Sequence, residues 1–426
     1  MSIISFFSSL LLLVGCSTLV DAYPKPTKSR TTHSTADSLL VGPSVVEVPP
    51  AFLNVFPAKD FNRAVTEPYW ETVINDTNSQ NVANRSVEAL KHADFIAFDP
   101  EFYEILDIRD YTQPKEIKSI FDFPPGPEWA NRLVHDGSVY APECNCIFVA
   151  ELHPPKEGYS MQVLPWVWRT SLNGSEPVTE KVYPDPALTI ANGAYYHNGS
   201  IYWTQEGNYT TPGGIVKMNP QTLKTEVVLN NFMGHRFNSP NDVVITKSGI
   251  AYFTDGYYGY DNFNDTVKPE MANGVWRWDM ASGNVRMVAG AGTGLFVNPN
   301  GVALNKENDK LYVTARGFTS ADVDGNRNIY EFDGINKRST LPPVRLFTCD
   351  DAGFPDGIKV DAEGRVYGGV AGAVDVWSND GNLLGKIKVK EGDTAVNMQF
   401  VENKLYIQGR NSIYVVELSA RNAQSY

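Results

Sequence analysis

The chain is poor in the residues on which much named catalytic chemistry depends. Of its 426 residues, six are histidine and four are cysteine. The histidines show no HExxH spacing and no GxSxG elbow is present, which argues against a zinc hydrolase and a serine esterase. Cys16 falls in the N-terminal apolar run, leaving Cys144, Cys146 and Cys349. That odd set makes neither a disulfide framework nor a zinc site, so a Cys144–Cys146 link or free thiols are expected, with no catalytic role. Basic residues are outnumbered, 36 against 49 acids, giving a net charge of −13. Such a balance argues against nucleic acid and anionic membranes as partners. Long amphipathic helical patterns are missing, and no apolar run reaches the roughly 18 residues of a membrane span. The Gly290-Ala-Gly292-Thr-Gly294 run lacks GxGxxG spacing and a strand–loop–helix context, and reads as a connection.

What the chain has is repetition. Six units begin at Asp136 (DGSVYAPECNCIFVAEL), Asn192 (NGAYYHNGSIYWTQEG), Asn241 (NDVVITKSGIAYFTDG), Asn300 (NGVALNKENDKLYVTARG), Asp356 (DGIKVDAEGRVYGGV) and Asn397 (NMQFVENKLYIQG). Each opens on Asp or Asn, usually followed by Gly, then runs apolar strand, polar turn, apolar strand. The starts lie about 40 to 60 residues apart, the period of propeller blades, and four strands with their turns fill it. The expected fold is all-β: a six-bladed β-propeller with four-stranded blades around a central channel. Radial arrangement converges the six opening residues near the channel mouth. A strand within Phe95 to Leu106 is expected to complete the last blade, which ends near Leu418.

Residues 1–22 carry a short apolar run ending in Val20-Asp21-Ala22 and read as a secretory signal peptide. Residues 23–50, rich in Pro, Ser and Thr, read as a leader or linker, and 51–426 as the propeller domain. Export fits the sequons at Asn75, Asn84, Asn173, Asn198, Asn208 and Asn264. The mature chain is expected to be extracellular, with no membrane attachment after signal removal.

The converging groups are two carboxylates (Asp136, Asp356) and four amides (Asn192, Asn241, Asn300, Asn397). All present hard oxygen atoms, with no thiolate or imidazole among them. Such donors suit Ca2+ or Mg2+, and an amide-rich cage favours Ca2+ because Mg2+ retains its waters.

HDGSVY, SPNDVVI with YFTDG, NPNGVAL with KLYVT, and FPDGIKVDAEGRVY resemble the regucalcin/gluconolactonase family, most closely its extracellular fungal lactonohydrolases, over roughly residues 90–418. Paraoxonases are more distant kin. The resemblance implies a divalent metal, usually Ca2+, in the tunnel of a six-bladed propeller, and hydrolysis of a small-molecule lactone. It implies Asp136, Asn241, Asn300 and Asp356 as metal ligands, with Asp356 also the general base. Asp136 stands where the family has glutamate, and Asn192 where paraoxonases place a reactive histidine. A second, structural Ca2+ is implied at Asp242. Asn192 and Asn397 are candidates to hold substrate hydroxyls, and Trp203, Tyr257 and Tyr258 to wall the pocket. Two competing readings remain at this stage. One is a secreted, non-catalytic propeller that binds a ligand or protein and carries structural calcium. The other is a strictosidine-synthase-like condensation on a related scaffold.

Overall fold

Strands form here because β-branched and aromatic residues alternate between turns that only special residues can make. In the second repeat, Asn198 and Gly199 take φ of 48° and 77° and close a two-residue turn between the paired His197 and Ser200. In this computed structural model the described residues are 39–48, 89–124, 133–152, 167–262, 264, 266–290, 297–317, 327–335, 344–350 and 353–424.

The repeats fold as radial antiparallel sheets of a β-propeller. The first sheet comprises Leu133–Ala141, Cys146–Leu152, Val167–Ser171 and Val178–Val182. The second comprises Ala191–His197, Ser200–Gln205, Gly214–Met218 and Thr225–Leu229, and the third Pro240–Ile245, Ile250–Asp255, Gly274–Asp279 and Val285–Gly290. The fourth comprises Asn298–Leu304, Lys310–Arg316, Asn328–Asp333 and Val344–Cys349. Ile358–Val360, Val366–Val370, Ala373–Trp377 and Leu383–Lys388 begin the fifth; Ala395–Val401, Lys404–Gly409 and Ser412–Glu417 begin the sixth. The first strand of each sheet packs against the first strand of the next, and the last returns to Leu133–Ala141, so the inner strands close a ring.

The expectation of six equal, four-stranded blades is corrected. Five sheets have four strands, whereas the fifth in chain order has seven, extended by Phe95–Ala97, Val45–Glu47 and Leu40–Val41. Phe95–Ala97 therefore does not complete the last sheet. Pro100 ends that strand and Glu101–Leu106 turns helical, with Asp99 Oδ1 accepting the Glu101 N–H at 2.9 Å. The apolar spacing Phe102, Ile105, Leu106 buries one helix face. The last sheet is closed instead by Ile117–Asp122, paired antiparallel to Ser412–Glu417. Residues 40–47 belong to the folded domain and not to a leader, because Val45 and Val46 are buried beside Phe95 and Ile96. The proposed signal peptide lies outside the described residues. Among the described residues no helix is long and apolar enough to cross a membrane.

The core is divided among the gaps between sheets. Val139, Phe148, Ile201 and Trp203 fill one; Tyr202, Val243, Phe253 and Trp276 fill the next. Side chains of this size each contribute about 1.5–3 kcal/mol on burial. Rigidity is thus spread around the ring, which fixes the inner strand ends.

Candidate functional site

The six opening residues, Asp136, Asn192, Asn241, Asn300, Asp356 and Asn397, are all buried at or beside the starting ends of the inner strands. The glycines that follow them make close convergence possible. A Cβ at Gly301 would stand 2.3 Å from the Asp356 carbonyl oxygen, and one at Gly357 would stand 2.3 Å from the Asn397 amide carbon. In the third repeat Asp242 takes this glycine place. Its carboxylate instead reaches across, Oδ1 accepting Val243 N–H at 2.8 Å and Oδ2 accepting Val302 N–H at 3.1 Å.

A second device holds the ring. Thr204 donates to the Asn241 carbonyl (2.6 Å), Thr254 to that of Asn300 (2.5 Å), and Thr314 to that of Asp356 (3.1 Å). Gln408 Nε2 donates to the Asp136 carbonyl at 3.3 Å. Each donor lies on the second strand of one sheet and grips the opening residue of the next. The grips fall on the backbone, so the side-chain oxygens of Asn241, Asn300 and Asp356 take no part in them.

Several of them have no partner. Asn192 Oδ1, Asn241 Oδ1, Asn300 Oδ1 and Asp356 Oδ1 are buried and accept no hydrogen bond. A buried polar atom left this way costs about 1–3 kcal/mol. The four come from consecutive sheets, the second to the fifth, and hard oxygens so disposed fit a cation such as Ca2+. Among the described residues no three His, Cys, Asp or Glu side chains converge as metal ligands, so a cation here would rest on amide oxygens as well.

Electrostatics agree with a site built for positive charge. Burial, followed by the charges of Asp356 and Asp242, holds the Asp136 carboxyl well above the usual carboxylate range. Burial pushes Asp356 up to about 6, against the pull of Arg316, Arg410 and the Asn300 amide. Asp242 is raised by burial and drawn back chiefly by the Lys359 ammonium.

The remaining sequence candidates divide. Asn192 donates to Glu206 Oε1 at 2.7 Å and keeps its own oxygen open. Asn397 is fully engaged and is corrected as a substrate contact. Its Nδ2 donates to Asp136 Oδ1 (2.5 Å), and its Oδ1 accepts Lys359 Nζ (3.2 Å) and Met398 N–H (2.8 Å). Trp203 is corrected as a pocket wall: it is wholly buried between sheets, where a Cβ on Gly137 would meet its ring at 2.4 Å. Tyr257 is tied to the loop before the third strand of its sheet by Asn273 N–H (3.1 Å) and Met271 carbonyl (3.3 Å). Tyr258, buried with its hydroxyl on the Pro299 carbonyl, is the aromatic beside the ring.

Sequence reasoning missed Glu206, Arg316 and Arg410, which stand at or just past the ends of second strands, and Lys359, which donates to Asn397. The signal was present in register. Tyr202-Trp203-Thr204, Tyr252-Phe253-Thr254 and Tyr312-Val313-Thr314 repeat Tyr-x-Thr, and Glu206 and Arg316 follow two residues after their threonines. Arg410 follows two residues after Gln408, which occupies the equivalent place.

Away from the site, Cys144, Cys146 and Cys349 are all unbridged. Asn173, Asn198 and Asn264 are exposed and Asn208 is half-buried, whereas Asn75 and Asn84 lie outside the described residues.

The SMP-30/gluconolactonase/LRE-like family model matches residues 173–409, more than half the chain. The chain is similar to a lactonohydrolase, oryL, of Aspergillus oryzae, at 27% identity covering 66% of each chain. It is also similar to a gluconolactonase of Zymomonas mobilis, at 28% identity over 79% of this chain and 89% of that one. Among solved structures, a gluconolactonase of Xanthomonas campestris superposes with a TM-score of 0.58 at 19% identity, covering 76% of this chain and 94% of that one. A calcium-binding regucalcin of Agrobacterium tumefaciens gives 0.51 at 12% identity, covering 72% and 96%. At those identities the structural likeness speaks for the fold alone.

Proposed function

Given that the chain belongs to the SMP-30/gluconolactonase/LRE-like family, we propose that it is a secreted, calcium-dependent lactonase that opens the ester of a small lactone. The observation that carries this reading is the set of partnerless buried oxygens Asn241 Oδ1, Asn300 Oδ1 and Asp356 Oδ1 on three consecutive sheets. With Asp136 they would hold one Ca2+. When bound, the ion supplies Lewis-acid polarisation of the ester carbonyl. Asp356 takes the proton of the attacking water; its carboxylate is buried, partnerless on one oxygen, and flanked by two guanidinium charges that keep it ionised. The Asn192 oxygen, aimed by Glu206, accepts a substrate hydroxyl. The stitched backbone holds these groups with little freedom, which favours attack from one direction.

A single cation is the expectation. At Asp242 the Lys359 ammonium supplies the positive charge that a second ion would bring, and both carboxylate oxygens already accept backbone N–H groups. The glycosylation sites Asn173, Asn198, Asn208 and Asn264, with Asn75 and Asn84, remain part of the proposal of export.

The test is acid release from a panel of lactones at constant pH, before and after chelation. Activity lost with the metal and restored by Ca2+ supports the reading. Calcium retained at one per chain, with no turnover of any lactone, would move the protein to a ligand-binding propeller.

A further inference from the structure

Two arginines bear on Asp356 of the proposed metal site. Arg316 ends the second strand of the fourth sheet, and Arg410 follows the second strand of the sixth. Both hold the repeat position that in the second sheet carries Glu206, whose carboxylate reaches Asn192 in the ring. Among the described residues neither guanidinium makes a hydrogen bond or ion pair, and the Nε atom of each is buried. Arg316 is braced by two rings, its guanidinium carbon 4.6 Å from the Phe354 ring centroid and 5.8 Å from that of Tyr258. Both charges bear on Asp356, which lies between the two sheets that carry them.

We propose that Arg316 and Arg410 form a carboxylate-binding subsite beside Asp356, so that the substrate is an acidic lactone, the internal ester of a hydroxy-dicarboxylic acid. This rests on the lactonase reading above. A guanidinium braced by aromatic faces keeps its planar edge of N–H donors open, the geometry that grips a carboxylate with two parallel bonds. Arg316 and Arg410 both act on Asp356, and a carboxylate on the substrate would pair with their open N–H donors where a neutral sugar lactone offers them no charge.

The experiment compares lactone pairs that differ only by a carboxylate. D-Glucaro-1,4-lactone is set against D-glucono-1,4-lactone, and γ-carboxy-γ-butyrolactone against γ-butyrolactone. The intact protein is expected to prefer the acidic member of a pair by about tenfold or more in kcat/KM. Arg316→Gln and Arg410→Gln should each reduce that preference by about tenfold, through KM more than kcat. Arg316→Lys, which keeps the charge and loses the fork, should recover only part. Calorimetry with the open-chain anions D-glucarate and D-gluconate gives a readout apart from turnover: glucarate should bind more tightly, and the Gln variants should erase the difference. Equal or better turnover of neutral lactones overturns the proposal, as does preference for a phosphorylated lactone or an equal loss on both members of a pair. If no lactone is opened at all, the lactonase reading fails, and the glucarate comparison still decides whether the arginines hold a carboxylate.

Discussion

Asp356 and Asp255 are both buried aspartates, and their surroundings assign them different work. Asp356 keeps one oxygen open beside two guanidinium charges. Asp255 spends its oxygens on the turn before the third sheet, accepting Ser239 N–H at 2.8 Å and Asn238 N–H at 3.1 Å. Asp356→Asn is therefore expected to lower turnover by about a hundredfold to ten-thousandfold, with unfolding temperature nearly unchanged. Near-normal turnover would remove Asp356 as the base. Activity should fall on the acid side at or below about pH 6, since the base works ionised and a bound cation draws its pKa further down. Asp255 is pushed up to about 7 by burial, so the folded protein holds that proton more tightly than the unfolded chain. Its contribution to stability is full below the ordinary carboxylate range, near about 4, and is lost as pH rises through 7. Denaturant unfolding of chelated protein at about pH 5 and about pH 8 should show this decline, and Asp255→Asn should make it shallower. That variant also weakens the acceptor shared by three buried donors, Ser239 N–H, Asn238 N–H and Asn238 Nδ2, at a cost of about 1–3 kcal/mol.

At the scale of strands and sheets, the site depends on contacts between neighbouring sheets as much as on its ligands. Thr254→Val removes the hydroxyl that grips the Asn300 carbonyl. It should cost about 1 kcal/mol of stability and, because Asn300 is then free to shift, weaken calcium binding out of proportion. Unchanged calcium affinity would show that the grip is structural only. Trp203→Ala should cost about 3–5 kcal/mol, as removal of a large core side chain does; a raised KM with intact stability would return it to the pocket wall. The repeats were legible at this scale because Asp/Asn-Gly starts and alternating strands recur in order. Inter-sheet grips were not, since a threonine inside a strand looks like any other β-branched residue until its neighbour across the gap is known. The seam was misplaced for a similar reason. Phe95-Ile96-Ala97 and Ile117–Asp122 are both acceptable strands, and only Pro100, together with the helix after it, decides which one can reach the last sheet.

Across the whole molecule, the reading of opening residues as a converging ring rested on period alone, and it located the oxygens that stand open. The arginines, Lys359 and Glu206 were passed over because they do not stand at the opening positions of the repeats, and their shared register gains meaning only once sheets are set side by side. Elemental analysis should find one calcium per chain, and Lys359→Met should leave Asp242 with an unmet buried charge and lower the unfolding temperature. At the other end of the inner strands, a cavity lined by Val139, Ala194, Val244, Val302, Lys359 and Gln399 is bordered by Asn422 and Gln424 of the C-terminal segment. Gln424 donates to the Asn305 carbonyl at 2.6 Å and accepts from Asn308 at 3.0 Å, so the tail is fastened across that end. The C-terminal segment thus edges the far end of the channel. A product acid that leaves past the opening residues shares its route with the incoming lactone, so turnover at high product concentration should slow as a competitive inhibitor would slow it.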